Sequence, residues 1–187
     1  MKKILSLILA TLMVLTAVAA LAEAAPSKTA EDIAYVVKTV DSNDGEGVII
    51  KIIDFTEDFE KLLQDTVDAL ANGTKVVELF SEGTQEALAT KLADAEVELN
   101  ELWPIDVFGY QEDVHGELTG TFYFPTVYTA EQTLVAVIAI QTEAGVEEYV
   151  LDGTLLEDGT VDVVFPADVI AKMLSGTATQ MYMLNTK

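Results

Sequence analysis

The chain of 187 residues contains no cysteine, no arginine and a single histidine, His115. Each absence closes a class of chemistry. Without cysteine there is no disulfide, no thiol nucleophile, no iron–sulfur cluster and no Cys-based zinc site. One imidazole is short of the two or three that most catalytic zinc and non-haem iron sites use. Without arginine the bidentate fork that grips phosphate and guanine is missing. Positive charge is scarce altogether: ten lysines face 32 acidic side chains, for a formal net charge of −22. A chain so acidic is repelled by nucleic acid and by anionic membrane surfaces, and no nucleic-acid partner is expected.

Hydrophobic residues, by contrast, are plentiful at 50%, with only 22% charged, so the chain is not an acidic disordered tail. Part of the apolar total is concentrated at the start. Met1-Lys2-Lys3 leads into an uncharged run from Ile4 to Ala22, and both Ala20-Leu21-Ala22 and Ala22-Glu23-Ala24 fit a small-x-small cleavage site. A basic start, an apolar middle and a small-residue end describe a secretory signal peptide over 1–22, cleaved after Ala22 or Ala24. An uncleaved anchor is the competing reading, since the run is just long enough to span a bilayer. Export with cleavage predicts a secreted bacterial protein, periplasmic if the source has an outer membrane, with no stable membrane association once the signal is removed.

The remainder divides by character into 26–97, of mixed α and β pattern, and 98–187, mostly β. Residues 35–40 and 48–53 are rich in β-branched side chains and flank a turn-rich loop, which predicts an N-terminal β-hairpin. Thr56 caps a predicted helix with Phe59, Leu62, Leu63, Thr66, Val67 and Leu70 at helical spacing and Gly73 as its stop. Residues 75–80 read as a short strand. A second helix, capped by Thr84, carries Ala87, Leu88, Lys91, Leu92 and Ala95 on one face, and both helices are expected to cover the hairpin. Strands follow at 98–107, 117–124, 133–141, 146–156, 160–165 and 177–184, with a tight Asp158-Gly159 turn. Thr133–Ile140 is apolar on both faces and should be a central strand. Pro166 opens a short crossover helix closed by Gly176. The fold class expected is α+β: the hairpin with its two amphipathic helices, then a mostly antiparallel β-sandwich whose layout is compatible with an immunoglobulin-like arrangement.

Four constellations invite a chemical reading. Asp41, Asn43, Asp44 and Glu46 offer oxygen ligands on a compact loop, as calcium requires. The spacing departs from a calcium-binding EF-hand loop, however, and a solvated hairpin turn accounts for the same residues. His115 precedes Gly116 in a loop and lies near no serine elbow. Trp103, Tyr110, Tyr123 and Tyr128 are candidates for a ligand-binding platform that stacks on sugar rings or lines a protein groove, and burial of the neighbouring Phe122 and Phe124 in the core is the plainer alternative. Trp103-Pro104 marks a strand edge, since proline has no N–H to pair. Among 32 carboxylates nothing in the sequence singles out a catalytic pair. The function expected is that of a non-enzymatic extracellular binding or interaction module, with a protein or polysaccharide as partner. The alternatives are a small carboxylate-dependent hydrolase and a calcium-dependent structural module.

Overall fold

A computed structural model describes residues 37–39, 49–93, 95–110, 116–124 and 126–187. The signal segment, the loop bearing Asp41, Asn43, Asp44 and Glu46, and His115 lie outside the described residues. The elements in chain order are β1 (Val37–Thr39), β2 (Ile49–Ile52), α1 (Glu57–Ala71), a 3-10 helix (Val76–Leu79), α2 (Glu82–Leu92), β3 (Val97–Phe108), β4 (Leu118–Phe122), β5 (Leu134–Thr142), β6 (Gly145–Leu155), β7 (Val161–Phe165), α3 (Ala167–Ser175) and β8 (Ala178–Thr186).

Strands β2 to β8 form a nearly closed antiparallel sheet, and the three residues of β1 add to it outside β4, giving the order β1-β4-β7-β6-β5-β8-β3-β2. The six strands expected between 98 and 184 are all present within two residues of their expected bounds. They are joined differently. One nearly closed sheet contains them all, where two layers of a sandwich are expected. Of the expected hairpin, residues 37–39 pair with β4 and residues 49–52 with β3, while 40–48 between them lie outside the described residues. The last four residues of β3, Ile105 to Phe108, offer β2 a ladder beyond the last residue that β8 covers.

Two cores result. The concave face gathers Ile50, Ile105, Phe122, Ile138, Phe165, Met181 and Met183 into one cluster with Val169, Ile170 and Met173 of α3. Since α3 follows β7 directly and returns to β8 beside Gln141, it fills the end of the roll where β5 finishes. The convex face of β5 and β8 presents Val135, Val137, Ala139, Tyr182 and Leu184, which Phe80, Leu88 and Leu92 cover. Strand β5 is buried from Leu134 to Ile140, as its two-sided apolar pattern requires.

Helix α1 begins as expected, with the Thr56 hydroxyl accepting from the Phe59 N–H at 3.2 Å. The predicted strand at 75–80 is instead a 3-10 turn. Its local bonds decide this: the Lys75 N–H donates to the Glu78 carboxylate at 3.0 Å, and the Glu78 N–H donates to the Lys75 carbonyl at 2.9 Å. Helix α2 starts earlier than expected, at Glu82, and covers the convex face of β5 and β8 instead of a hairpin. Thr84 is a buried residue within it and not its cap. The start is held from a distance, since Glu148 of β6 accepts from the Ser81 N–H at 2.9 Å and from its hydroxyl at 2.7 Å. A carboxylate there also faces the positive end of the helix dipole. Glu148→Ala is expected to lower unfolding free energy by about 1–2 kcal/mol, read as a shifted urea midpoint at unchanged m-value. No shift would mean that the exposed bonds are replaced by water without loss.

Among the described residues no helix is long and apolar enough to cross a membrane.

Candidate functional site

Strand β3 carries the feature from which the site is built. Its register with β8 slips at Asn100, so that Leu99 faces Leu184 while Glu101 already faces Met183. One extra residue on one strand is a β-bulge, and it reverses which side chains face inward. Leu99 therefore packs with the convex core, whereas Ile105 and Val107, and Trp103 partly buried beside them, join the concave one. Glu101 turns inward with them and is only 6% exposed.

A carboxylate in that position needs partners, because its burial without them costs several kcal/mol. It has three donors. The Trp103 indole N–H donates to Oε2 at 2.8 Å. Both donors of Thr126 reach Oε1, the backbone N–H at 3.0 Å and the hydroxyl at 2.5 Å. Burial is the larger effect and raises the Glu101 pKa, while the bonds from Thr126 and Trp103 oppose it. Beside it, burial and the charge of Glu101 push the Tyr128 hydroxyl far above the usual tyrosine range. That hydroxyl is buried and makes no well-formed hydrogen bond among the described residues. The bulge adds a second polar contact, since the Asn100 amide donates to the Asn185 side-chain oxygen at 2.6 Å.

Glu101 thus fastens the connection between β4 and β5 across the end of the roll opposite α3. Two exposed apolar side chains flank this fastening. Phe55 is 41% exposed, with its ring 6.0 Å from Trp103 and 4.7 Å from Phe59. Val127, directly after Thr126, is 84% exposed.

The four aromatic candidates divide between different surroundings. Trp103 is half-buried and bonded to Glu101. Tyr128 is buried, edge-on to Phe124 at 6.1 Å. Tyr110 is half-buried and donates to the Gly116 carbonyl at 3.2 Å, whereas Tyr123 is an exposed side chain at the end of β4. Trp103 and Tyr128 come together around Glu101. Pro104 is an edge in a restricted sense: β8 pairing ends there and β2 pairing begins one residue on, while the Pro104 carbonyl accepts from the Ile53 N–H at 3.0 Å.

Sequence reasoning passed over Glu101. The signal lay in its parity, since Trp103, Ile105 and Val107 are apolar at alternate positions and Glu101 is the acid that continues the row. A second concavity of about 830 Å³ opens between α2, the 3-10 helix and the start of β3, with Val76, Leu88, Leu92 and Val97 among its walls. Among the described residues no three His, Asp or Glu side chains converge as a metal site would require. Comparison of the chain with models of protein families, with curated proteins and with solved structures returned no match.

Proposed function

We propose that the protein is a secreted bacterial module, acidic and non-enzymatic, that binds an extracellular protein or polysaccharide. The observation that supports the reading is the pair of exposed apolar side chains beside the Glu101 fastening, Phe55 against the half-buried Trp103 and Val127 next to Thr126. Exposed apolar side chains gathered in one patch are a usual mark of a contact site. The patch stands on a rigid base, because Trp103 is bonded to Glu101 and Thr126 is bonded to the same carboxylate. Export rests on the basic start, the uncharged run and the paired cleavage sites of the first 24 residues.

A carboxylate-dependent hydrolase is the second reading, and Glu101 is the observation that favours it. Glycoside hydrolysis uses two carboxylates about 5–9.5 Å apart, with room for sugar and water between them. The oxygens of Glu101 are already occupied by three donors of its own chain, which suits a fastening better than a general acid. Calcium binding by Asp41, Asn43, Asp44 and Glu46 predicts a higher thermal midpoint in millimolar calcium than in chelator.

The test is retention of the tagged mature chain on cell-wall fragments, insoluble polysaccharides and extracellular proteins. Retention should survive moderate salt and should fall in Phe55→Ser and in Tyr123→Ser. Retention lost with salt alone reports only the net negative charge. No retention on any bait would sink the reading.

A further inference from the structure

We infer that the Phe55–Trp103–Val127 rim takes a peptide segment in which lysine or arginine residues alternate with apolar ones. The inference rests on the module reading and gives its partner a chemistry.

The apolar component comes from exposure and ring geometry. Phe55 stands 6.0 Å from Trp103, and Val127 follows Thr126, which shares the Glu101 carboxylate with the same tryptophan. Aromatic side chains held by a rigid base are the kind of anchor on which contact energy concentrates.

The charge component comes from the sequence around Phe55. Asp54, Glu57, Asp58 and Glu60 all lie within seven residues, and all four are exposed. Across the rim the connection from β4 to β5 adds the exposed Glu131 and no lysine. The one nearby cation on α1, Lys61, is engaged by Asp65. The helix N-terminus offsets about half a unit of this charge and the exposed Lys51 of β2 one more, so acids still outnumber cations around Phe55. An anionic or purely apolar partner meets that negative charge unfavourably or without gain. A partner carrying cations between its apolar anchors satisfies both components, with charge steering the encounter and the apolar residues setting the lifetime.

Trp103 is the chain's one tryptophan, so its emission reports this site without a label. The probe is a synthetic peptide of leucine and lysine, titrated into the mature full chain. Oligolysine and the same peptide with glutamate in place of lysine serve as controls. The leucine–lysine peptide should shift Trp103 emission and bind at least about tenfold more weakly to Phe55→Ser/Val127→Ser, whose changed residues are exposed. Leu174→Ser, an exposed change on α3, should bind like the parent. Asp54→Asn/Glu57→Gln/Asp58→Asn should weaken binding and flatten its salt dependence. Equal binding by Phe55→Ser/Val127→Ser and the parent overturns the inference, and so does oligolysine binding as tightly as the leucine–lysine peptide. Retention on a wall or polysaccharide bait without any response to the peptide sinks this inference alone. Failure of both sinks the module reading with it.

Discussion

Glu101→Ala should cost about 2–4 kcal/mol of stability and release the connection between β4 and β5. The estimate follows from what the change leaves behind. Three donors lose their acceptor, namely the Trp103 indole N–H and the N–H and hydroxyl of Thr126. A buried donor left unpaired costs about 1–3 kcal/mol. Thr126 is only half-buried, so water replaces part of its loss, and relief of the buried charge offsets some of the remainder. Glu101→Gln should cost less, about 1–3 kcal/mol, because the amide oxygen still serves one side while the NH2 group confronts a donor on the other. In both variants Trp103 emission should move to longer wavelength as its cover loosens. Unchanged emission with unchanged stability would remove Glu101 from its role as fastening.

The same residue predicts a pH dependence. In the unfolded chain Glu101 titrates near the ordinary glutamate value of about 4.3, whereas burial raises it in the folded protein. Between those two values the folded state binds more protons than the unfolded state. Unfolding free energy therefore falls as pH rises through that window and is flat in this contribution above it. Many other carboxylates titrate in acid, so the difference between parent and Glu101→Gln isolates the residue. Urea midpoints measured from acid to neutral pH should show the parent losing stability relative to the variant as pH rises. The opposite slope would mean that the three hydrogen bonds outweigh burial.

Legibility in the sequence followed how local each cause was. Strands β3 to β8 and the caps of α1 and α3 were readable because alternation, Thr56, Pro166 and the Asp158-Gly159 turn act within a few residues. Gly159 takes a φ of +84°, and the Asp158 side chain accepts from the Thr160 N–H at 3.0 Å, as such a turn requires. Pairing was less legible. Ile49 to Ile52 has the pattern of a strand, but nothing in those four residues says that β3 extends far enough to receive them. The 3-10 turn was misread because Val76, Val77 and Leu79 favour a strand by composition, while the Glu78 carboxylate closes a turn. Glu101 was missed for a related reason. Its partner Thr126 lies 25 residues away, and the bulge at Asn100 hides the row that it continues by placing Val97 and Leu99 on the other face.

Phe122 and Gly120 should show the strongest coupling in the concave core. Both occupy inward positions of β4, and Phe122 is fully buried between Phe124, at a ring separation of 5.7 Å, and Phe165, at 6.2 Å. Phe122→Ala empties that space and should cost about 3–5 kcal/mol. Gly120→Ala acts in the opposite way. A methyl group there would stand 2.8 Å from Cε2 of Phe122, closer than real side chains approach, and 3.1 Å from Cε2 of Phe165, a tight contact that needs a small shift. Two fully buried rings would have to move, for about 1–3 kcal/mol, less the small gain from replacing a strand glycine. In the double variant the obstructing ring is gone and the methyl enters the vacated space. The pair should therefore be less destabilised than the sum of the single changes by about 0.5–3 kcal/mol. Additive losses in a denaturant-based double-mutant cycle would show that the glycine is kept for a reason other than room for the ring. Sub-additive losses would identify Gly120 as the residue that lets Phe122 and Phe165 share one layer of the core.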